Sequence, residues 1–322
     1  MPSGGKVLVV LAAAVACSLV APSSALAQWP APKGEAYFSL SYGNLLNRDH
    51  YLYDGSTFNG GHIHSNTFLA ELGYSITDRL SVRTNLPYQN AKYVGAGPHM
   101  FPVDDGSYHG TFTDFRFDAR YNVLNRGTIA VTPFVATILP SHHYEYFGHA
   151  VNGLDLKQFL VGTAFGFRLE SFLPKAYLVG RYSFAFVEKV QDISHNRSNM
   201  DLQLGYNLTP RLQLFALGTG EYTHGGTDLN LPVVRATWSA ETFHHHVQTG
   251  RSQLWGVGGG ADFQLTASVD VQAGFAKTLA GKNDHEVNHL ITFGVSFGFS
   301  PRQVLRKLSS RPPAPMLAPG LL

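Results

Sequence analysis

A run of alternating charges offers the first chemistry in this sequence. Between residues 114 and 120, acidic and basic side chains alternate at every second position, so an extended chain would point them all to one side. The four residues are Asp114, Arg116, Asp118 and Arg120. In a β-sheet, neighbouring strands lie about 4.8 Å apart, so such side chains can pair across strands.

Further ionisable residues occupy the same kind of polar face elsewhere. Together they form the predicted interior set: Glu71, Arg83, Asp114, Arg116, Asp118, Arg120, Arg168, Arg181, Asp201, Asp262 and Asp270. One interpretation is a charged pore that selects polar or anionic solutes. The other is a mutually neutralised network that fills a narrow interior. Small closed barrels are filled and large ones hold a channel, so an intermediate size leaves both interpretations open.

Two histidine-rich segments raise the question of a metal site. Imidazole and carboxylate groups suit zinc, copper or nickel, and the candidate donors are His142, His143, Glu145, His149, His244 and His246. Consecutive histidines in an extended segment point to opposite sides, so a site would need donors from two loops. The alternative is a solvated surface whose charge changes near about pH 6. We therefore predict no metal centre and no cofactor.

Hydroxyl groups stand beside imidazoles at Ser141-His142 and Ser194-His195-Asn196, which suggests a lipid hydrolase as one alternative. Neighbours in sequence do not make a catalytic site, because nucleophile, base and orienting group must converge in space. The chain has no Gly-x-Ser-x-Gly or His-Glu-x-x-His motif. We predict that the protein is not an enzyme.

The composition restricts the elements that position these residues. Of 322 residues, 44% are hydrophobic and 14% charged, with 22 Phe, 15 Tyr, 33 Gly and one Cys. A typical soluble protein has about 25% charged residues. No apolar run downstream of the N-terminus is long enough for a helical membrane bundle. A net charge of +2 is too balanced for a nucleic-acid binder. An all-β protein remains.

Period-two alternation divides the chain into strands separated by two classes of connection. The short turns lie at 77–79, 125–127, 171–175, 209–211 and 266–268. Between them lie six other connections, generally longer, at 47–61, 94–110, 140–156, 190–197, 225–250 and 281–287. Eleven connections predict about twelve strands in a single antiparallel transmembrane β-barrel with both termini periplasmic. A soluble sandwich is the alternative, but its connections would not sort in this way.

The two ends of the chain differ from the predicted barrel, residues 28–300. Residues 1–27 have a charged start, an apolar centre and an Ala-x-Ala end, which predicts a cleaved signal peptide. A lipidation site at Cys17 is the alternative. Residues 301–322 predict a disordered, basic, proline-rich tail. These features predict export to the outer membrane.

Several stretches resemble the outer-membrane transporter family named after the meta-pathway of phenol degradation. They are residues 74–82 with 86–88, 114–121, 133–140 and 204–212. The resemblance implies an outer-membrane barrel with a transport role and suggests hydrophobic or aromatic compounds. It carries no catalytic residues over to this chain.

Taken together, these features predict a passive outer-membrane channel whose partners are membrane lipid and a small-molecule solute. A structural or adhesive barrel is the alternative, and a lipid hydrolase is the second. An apolar solute would need an apolar patch at the external mouth. The candidates for it are Tyr93, Phe101, Tyr144, Tyr146 and Phe147.

Overall fold

The computed structural model describes residues 29–95, 103–228 and 238–301. They form a closed antiparallel β-barrel of twelve strands, which confirms the predicted fold class and strand number. The strands are β1 (Ala36–Tyr51), β2 (Thr57–Ser75), β3 (Leu80–Val94), β4 (His109–Phe112, Asp114–Tyr121 and Leu124–Asn125), β5 (Ile129–Pro140), β6 (Gln158–Arg168), β7 (Ala176–Val187), β8 (His195–Asn207), β9 (Leu212–Gly225), β10 (Gln253–Thr266), β11 (Val269–Lys282) and β12 (Asp284–Phe299).

Two short helices, α1 (Ala240–His244) and α2 (His246–Thr249), precede β10. None of the helices in the described ranges is long and apolar enough to cross a membrane. The predicted signal peptide and all but the first residue of the predicted tail lie outside the described residues.

Pairing of the first and last strands closes the barrel. β1 and β12 are antiparallel, with Ala36 opposite Phe299 at one rim and Tyr51 opposite Asp284 at the other. Every other strand pairs with its neighbours in the chain. The ring therefore has no free edge, which satisfies the backbone groups that an open sheet would expose.

The two faces of the barrel differ in polarity. On β4, Phe117 is 49% exposed on the outside, whereas the next residue, Asp118, is 5% exposed and points inward. Residues opposite each other on paired strands share a face, so Asp118 lies beside Arg83 on β3 and Ala136 on β5. Outward positions on the other strands carry exposed apolar side chains, among them Leu40, Phe68, Tyr182, Leu202 and Phe293. The outside is thus an apolar belt around a more polar interior.

The connections sort by rim, although two of them differ from the prediction. The short turns occupy 76–79, 126–128, 169–175, 208–211 and 267–268, and β1 begins and β12 ends at this rim, hereafter the short-turn rim. The opposite, long-loop rim carries connections 52–56, 95–108, 141–157, 188–194, 226–252 and Asn283.

The long connections predicted at 47–61 and 281–287 are wrong. β1 and β2 continue to a five-residue connection at 52–56, and Asn283, at a φ of +50°, alone joins β11 to β12. Their polar residues resemble loops in sequence, but in the structure they belong to the strands.

The loop between β5 and β6, residues 141–157, folds into the barrel. Its residues Leu154 and Leu156 are 4% and 2% exposed and belong to one apolar cluster with Phe134, Leu160 and Ala185 of the wall. Val103 and Val247, from two other connections of the same rim, join the cluster. The interior is therefore filled at the long-loop rim.

Candidate functional site

Three arginines surround the carboxylate of Asp118 in the middle of the barrel. Its oxygens lie 3.1 Å from Arg83 Nη2, 2.6 Å from Arg116 Nε and 3.2 Å from Arg120 Nε. Pairing between β3 and β4 places Arg83 directly opposite Asp118, and the two other arginines flank it on its own strand. A single carboxylate thus joins three guanidinium groups.

Two neighbouring groups extend this charge network. Glu71 Oε1 accepts a hydrogen bond from the Tyr37 hydroxyl at 2.5 Å and lies 4.0 Å from Arg83 Nη1. On β7, Arg181 donates two hydrogen bonds to Asp201 Oδ2, at 2.8 and 2.5 Å. These two residues also stand directly opposite each other, on β7 and β8. Register therefore explains the Arg181–Asp201 ion pair, as it explains the Arg83–Asp118 ion pair.

A central cavity of about 130 Å³ lies between the charge network and the inserted loop. Glu71, Arg83, Asp114, Arg116 and Arg181 of the predicted interior set line it. Asn152, Gly153 and Leu154 of the loop form another part of its wall. The cavity is lined by ionisable, amide and apolar side chains together, so it could hold a small amphipathic molecule.

Two further charged residues line this cavity and were missed by sequence reasoning. Arg197 is 2% exposed, and its buried Nε and Nη2 have no hydrogen-bond partner among the described residues. Glu221 is 6% exposed, and its Oε1 likewise has no partner in those ranges. Arg197 fell within the predicted connection 190–197, which in the structure ends before β8. Glu221 shares the inner face of β9 with Thr219, and this alternation was the available signal.

Asp114 connects the wall to the inserted loop. Its carboxylate accepts a hydrogen bond from the hydroxyl of Tyr144, which in turn accepts one from the backbone N of Asp155 at 3.1 Å. Burial raises the pKa of the Tyr144 phenol above its ordinary value, and the charge of Asp114 raises it further. The phenol therefore keeps its proton and remains a donor.

The remaining predicted interior residues lie at the short-turn rim rather than in the centre. Arg168, Asp262 and Asp270 line a second cavity of about 410 Å³ together with Trp29, which precedes β1. The Arg168 guanidinium stacks 5.3 Å from the Trp29 ring. Asp262 Oδ2 accepts a hydrogen bond from Gln213 at 3.2 Å. The structure thus divides the predicted set between two levels of the barrel.

Only some of the histidines lie on the solvated surface that one interpretation of the sequence predicted. Five of them are at most 2% exposed: His50, His149, His195, His246 and His285. That expectation is wrong for these residues, because the barrel continues beyond the predicted strand ends and the loops fold inward. Others remain outside, such as His143, whose side chain is fully exposed beside Asp155.

The six candidate metal donors are not brought together. His142 bonds to Ser141 and Thr111, whereas Glu145 accepts a hydrogen bond from the backbone N of Phe147. His244 packs against aromatic rings, and His246 bonds to the carbonyl of Phe243. Across the described ranges, no group of three or more His, Cys, Asp or Glu residues could hold a metal ion.

His149 instead joins two connections of the long-loop rim through hydrogen bonds. Its backbone N and ring Nδ1 bond to the carboxylate of Asp104, and its ring stacks on Tyr93 with centroids 4.1 Å apart. The His50 ring lies 4.0 Å from the His285 ring and 5.9 Å from that of His149. This buried group fixes the inserted loop against β1, β3 and β12.

The candidate apolar patch at the external mouth is not one surface. Tyr146 and Phe147 contact the histidines of α1 and α2, whereas Tyr93 is 2% exposed and Tyr144 points to Asp114. Phe101 lies outside the described residues.

Two serine–histidine contacts bear on the hydrolase alternative. Ser141 Oγ lies 2.8 Å from His142 Nδ1, and Ser198 Oγ lies 2.8 Å from His224 Nε2. The second pair faces outward with Tyr182, whose hydroxyl is 3.0 Å from Ser198 Oγ. Within the described residues, no hydrogen bond orients the other ring nitrogen of His224. A complete catalytic triad is therefore not formed there.

Comparisons with known proteins concern the fold. The chain matches no protein-family model, and no curated protein matches it. It is similar to the crystal structure of the COG4313 outer membrane channel from Pseudomonas putida F1, with a TM-score of 0.67 and 16% identity, over 87% of this chain and 100% of that one. A NanC porin structure matches with a TM-score of 0.50 and 8% identity, over 81% of this chain and 98% of that one.

Proposed function

We propose that this protein is a passive outer-membrane channel for small molecules, with no catalytic centre. The apolar belt suits it to lipid, and the short-turn rim would face the periplasm, as is usual for bacterial barrels. Residues 1–27 would be the signal peptide that exports it, and residues 301–322 would be a basic, proline-rich tail on the periplasmic side. The two similar structures are named as a channel and a porin, which supports a passive role.

The observation that carries this proposal is the central cavity inside a closed barrel. A barrel that served only as a scaffold would gain nothing from buried charged groups around an internal space, because removing them from water costs free energy. The inserted loop covers the cavity on its long-loop side. We infer that the structure is a closed state, and that solutes pass when this loop moves.

The resemblance to the outer-membrane transporter family named after the meta-pathway of phenol degradation suggests hydrophobic or aromatic solutes. Membership of that family is part of the proposal, since it rests on the short stretches described above. The ionisable lining of the cavity favours polar solutes. A molecule with both an apolar body and a polar group would meet both requirements.

Single-channel conductance of the refolded chain in planar bilayers tests the proposal. We expect rare openings in the wild type and frequent ones when the loop contacts are removed by Asp104→Ala, because that change leaves the wall intact. A folded barrel that conducts in neither form, and that passes no small polar or aromatic solute into vesicles, would instead be a structural barrel.

Lipid hydrolysis is the second candidate, and the outward Ser198–His224 contact is the observation that favours it. Release of fatty acid from phospholipid vesicles would measure it, with Ser198→Ala as the informative variant and Ser183→Ala, on the inner face of β7, as the control. Activity abolished only by Ser198→Ala would replace the channel proposal. We expect no release above background from any of the three proteins.

A further inference from the structure

We propose that the central cavity binds a small monocarboxylate with an apolar body, and that Arg197 binds the carboxylate. This inference rests on the proposed function and names its solute class. Arg197, Arg116 and Arg181 line the cavity together with apolar side chains.

The charge of Arg197 is the first argument. Arg83, Arg116 and Arg181 each form an ion pair, with Asp118 or Asp201, whereas within the described residues Arg197 forms none. A guanidinium keeps its charge at every ordinary pH. Its charge interacts with the carboxyl groups of Asp114, Glu221 and Asp284, none of which forms an ion pair with it. An anion that enters the cavity and contacts the guanidinium directly would therefore stabilise this buried charge further.

The acidic groups of the cavity restrict the ligand to a single charge. Glu71, Asp114 and Glu221 also line it, so a second negative charge on the ligand would meet repulsion. Glu71 and Asp114 accept hydrogen bonds from tyrosine hydroxyls. The guanidinium of Arg197 keeps its charge at every ordinary pH, so a single carboxylate is still attracted to it beside these acids.

The apolar part of the wall determines the body of the ligand. It consists of Leu69, Pro87, Ile138, Leu154 and Leu160. One water needs about 10–15 Å³ on the scale that gives the cavity about 130 Å³, so about ten non-hydrogen atoms fit. An aromatic or short branched carboxylate has this size, and its ring or chain would contact these side chains.

The guanidinium group of an arginine suits carboxylate binding better than the ammonium group of a lysine would. A guanidinium can donate two parallel hydrogen bonds to one carboxylate, which fixes the orientation of the ligand. Asn199 and Ser183 line the cavity beside Arg197 and supply further donors. The ligand would therefore lie with its carboxylate at Arg197 on β8 and its body against the apolar side chains of β2, β3, β5, β6 and the inserted loop.

Calorimetric binding of benzoate to the refolded full chain in detergent tests the proposal, with benzamide as the uncharged probe of the same shape. We expect benzoate to bind and benzamide to bind at least about tenfold more weakly, as expected for the loss of a charge-assisted contact. This comparison uses only the wild-type chain. Equal binding of the two probes, or no binding of benzoate, would overturn the proposal.

Variants then assign the contact to Arg197. Arg197→Met keeps most of the side-chain volume and should weaken benzoate binding by about tenfold or more, whereas Arg197→Lys should weaken it less. The control is Arg168→Met at the short-turn rim, which should bind as the wild type does. Unchanged binding by folded Arg197→Met would show that Arg197 is not the ligand's partner.

Conductance separates this inference from the proposed function. Binding of benzoate by a barrel that never conducts would retain the site and reject the channel. A conducting barrel that binds neither probe would retain the channel and reject the site. If the barrel both conducts and binds benzoate, benzoate should interrupt the current of the open channel and benzamide should not.

Discussion

Asp104 holds His149 inside the barrel through both its backbone and its ring. The carboxylate accepts hydrogen bonds from His149 N at 2.9 and 3.0 Å and lies 2.7 Å from Nδ1. It also accepts one from Ala150 N at 3.0 Å. Since the two residues belong to different connections, this contact holds the inserted loop in the lumen.

Asp104→Ala should release that loop, because it removes four hydrogen-bond contacts at once and leaves two buried backbone N–H groups without an acceptor. We expect a several-fold increase in the fraction of time that single channels are open. The matched control is Asp105→Ala, since Asp105 is exposed and, among the described residues, bonds to Ser107 of its own connection and to His109 at the start of β4. Equal opening of the two variants would contradict the role of Asp104.

Asp118→Asn should destabilise the barrel strongly. The substitution leaves Arg83, Arg116 and Arg120 close together without the carboxylate that joins them. Loss of one partner of a buried ion pair costs about 3–5 kcal/mol. Urea unfolding in lipid vesicles, followed by tryptophan fluorescence, would measure this loss.

The control for that experiment is Asp54→Asn, which changes an exposed acid in the connection 52–56. It should alter the free energy of unfolding by less than about 0.5 kcal/mol. If Asp118→Asn were as stable as this control, the three arginines would not depend on Asp118.

Phe117→Arg tests the register of β4. Phe117 lies outward and 49% exposed on the apolar belt, where an arginine costs about 2–4 kcal/mol in a bilayer. Phe172→Arg, at a 77% exposed position in the turn 169–175, should cost much less. Unfolding in vesicles measures both changes. If Phe117→Arg left the free energy of unfolding unchanged, this position would not face lipid.

Gly61→Ala should destabilise the end of β2 for two reasons. Gly61 has a φ of +109°, and an added Cβ would lie 2.5 Å from the hydroxyl oxygen of Tyr93. Gly106→Ala separates the backbone effect from the steric effect. Its φ is +85°, but no atom lies within 4 Å of an added Cβ. We expect about 1 kcal/mol for Gly106→Ala and more for Gly61→Ala in the same unfolding measurement. If both variants lost the same free energy of unfolding, the Tyr93 side chain would be able to move away from the added methyl group without cost.

The sequence predicted the wall of this barrel better than its interior. Alternation of Phe117 and Asp118 follows directly from a two-residue period, and three of the five short turns contain Gly127, Pro174 or Pro210. The inserted loop was missed, because period-two reasoning assigns 140–156 to solvent. Its apolar residues Val151, Leu154 and Leu156 were the available signal.

Contacts across the lumen are beyond reasoning of this kind. Asp104 and His149 are 45 residues apart and belong to no common strand pair. Arg197 seemed to lie in a loop because polar residues dominate 190–197, whereas its strand extends further than its alternation suggests. Strand register gives neighbours along the wall; it does not tell which loop folds back between them.

The pairing of β1 with β12 has a consequence for the order of assembly. These strands are the first and last of the barrel, and no local hairpin can bring them together. The ten pairings among β1 to β11 can form before the last strand is present, but the ring closes only when β12, which ends at Phe299, pairs with β1. Until then, both edge strands expose unpaired backbone groups that could pair with another chain. Closure should be the slow, late step of folding, since the entropy of joining distant ends is recovered only then.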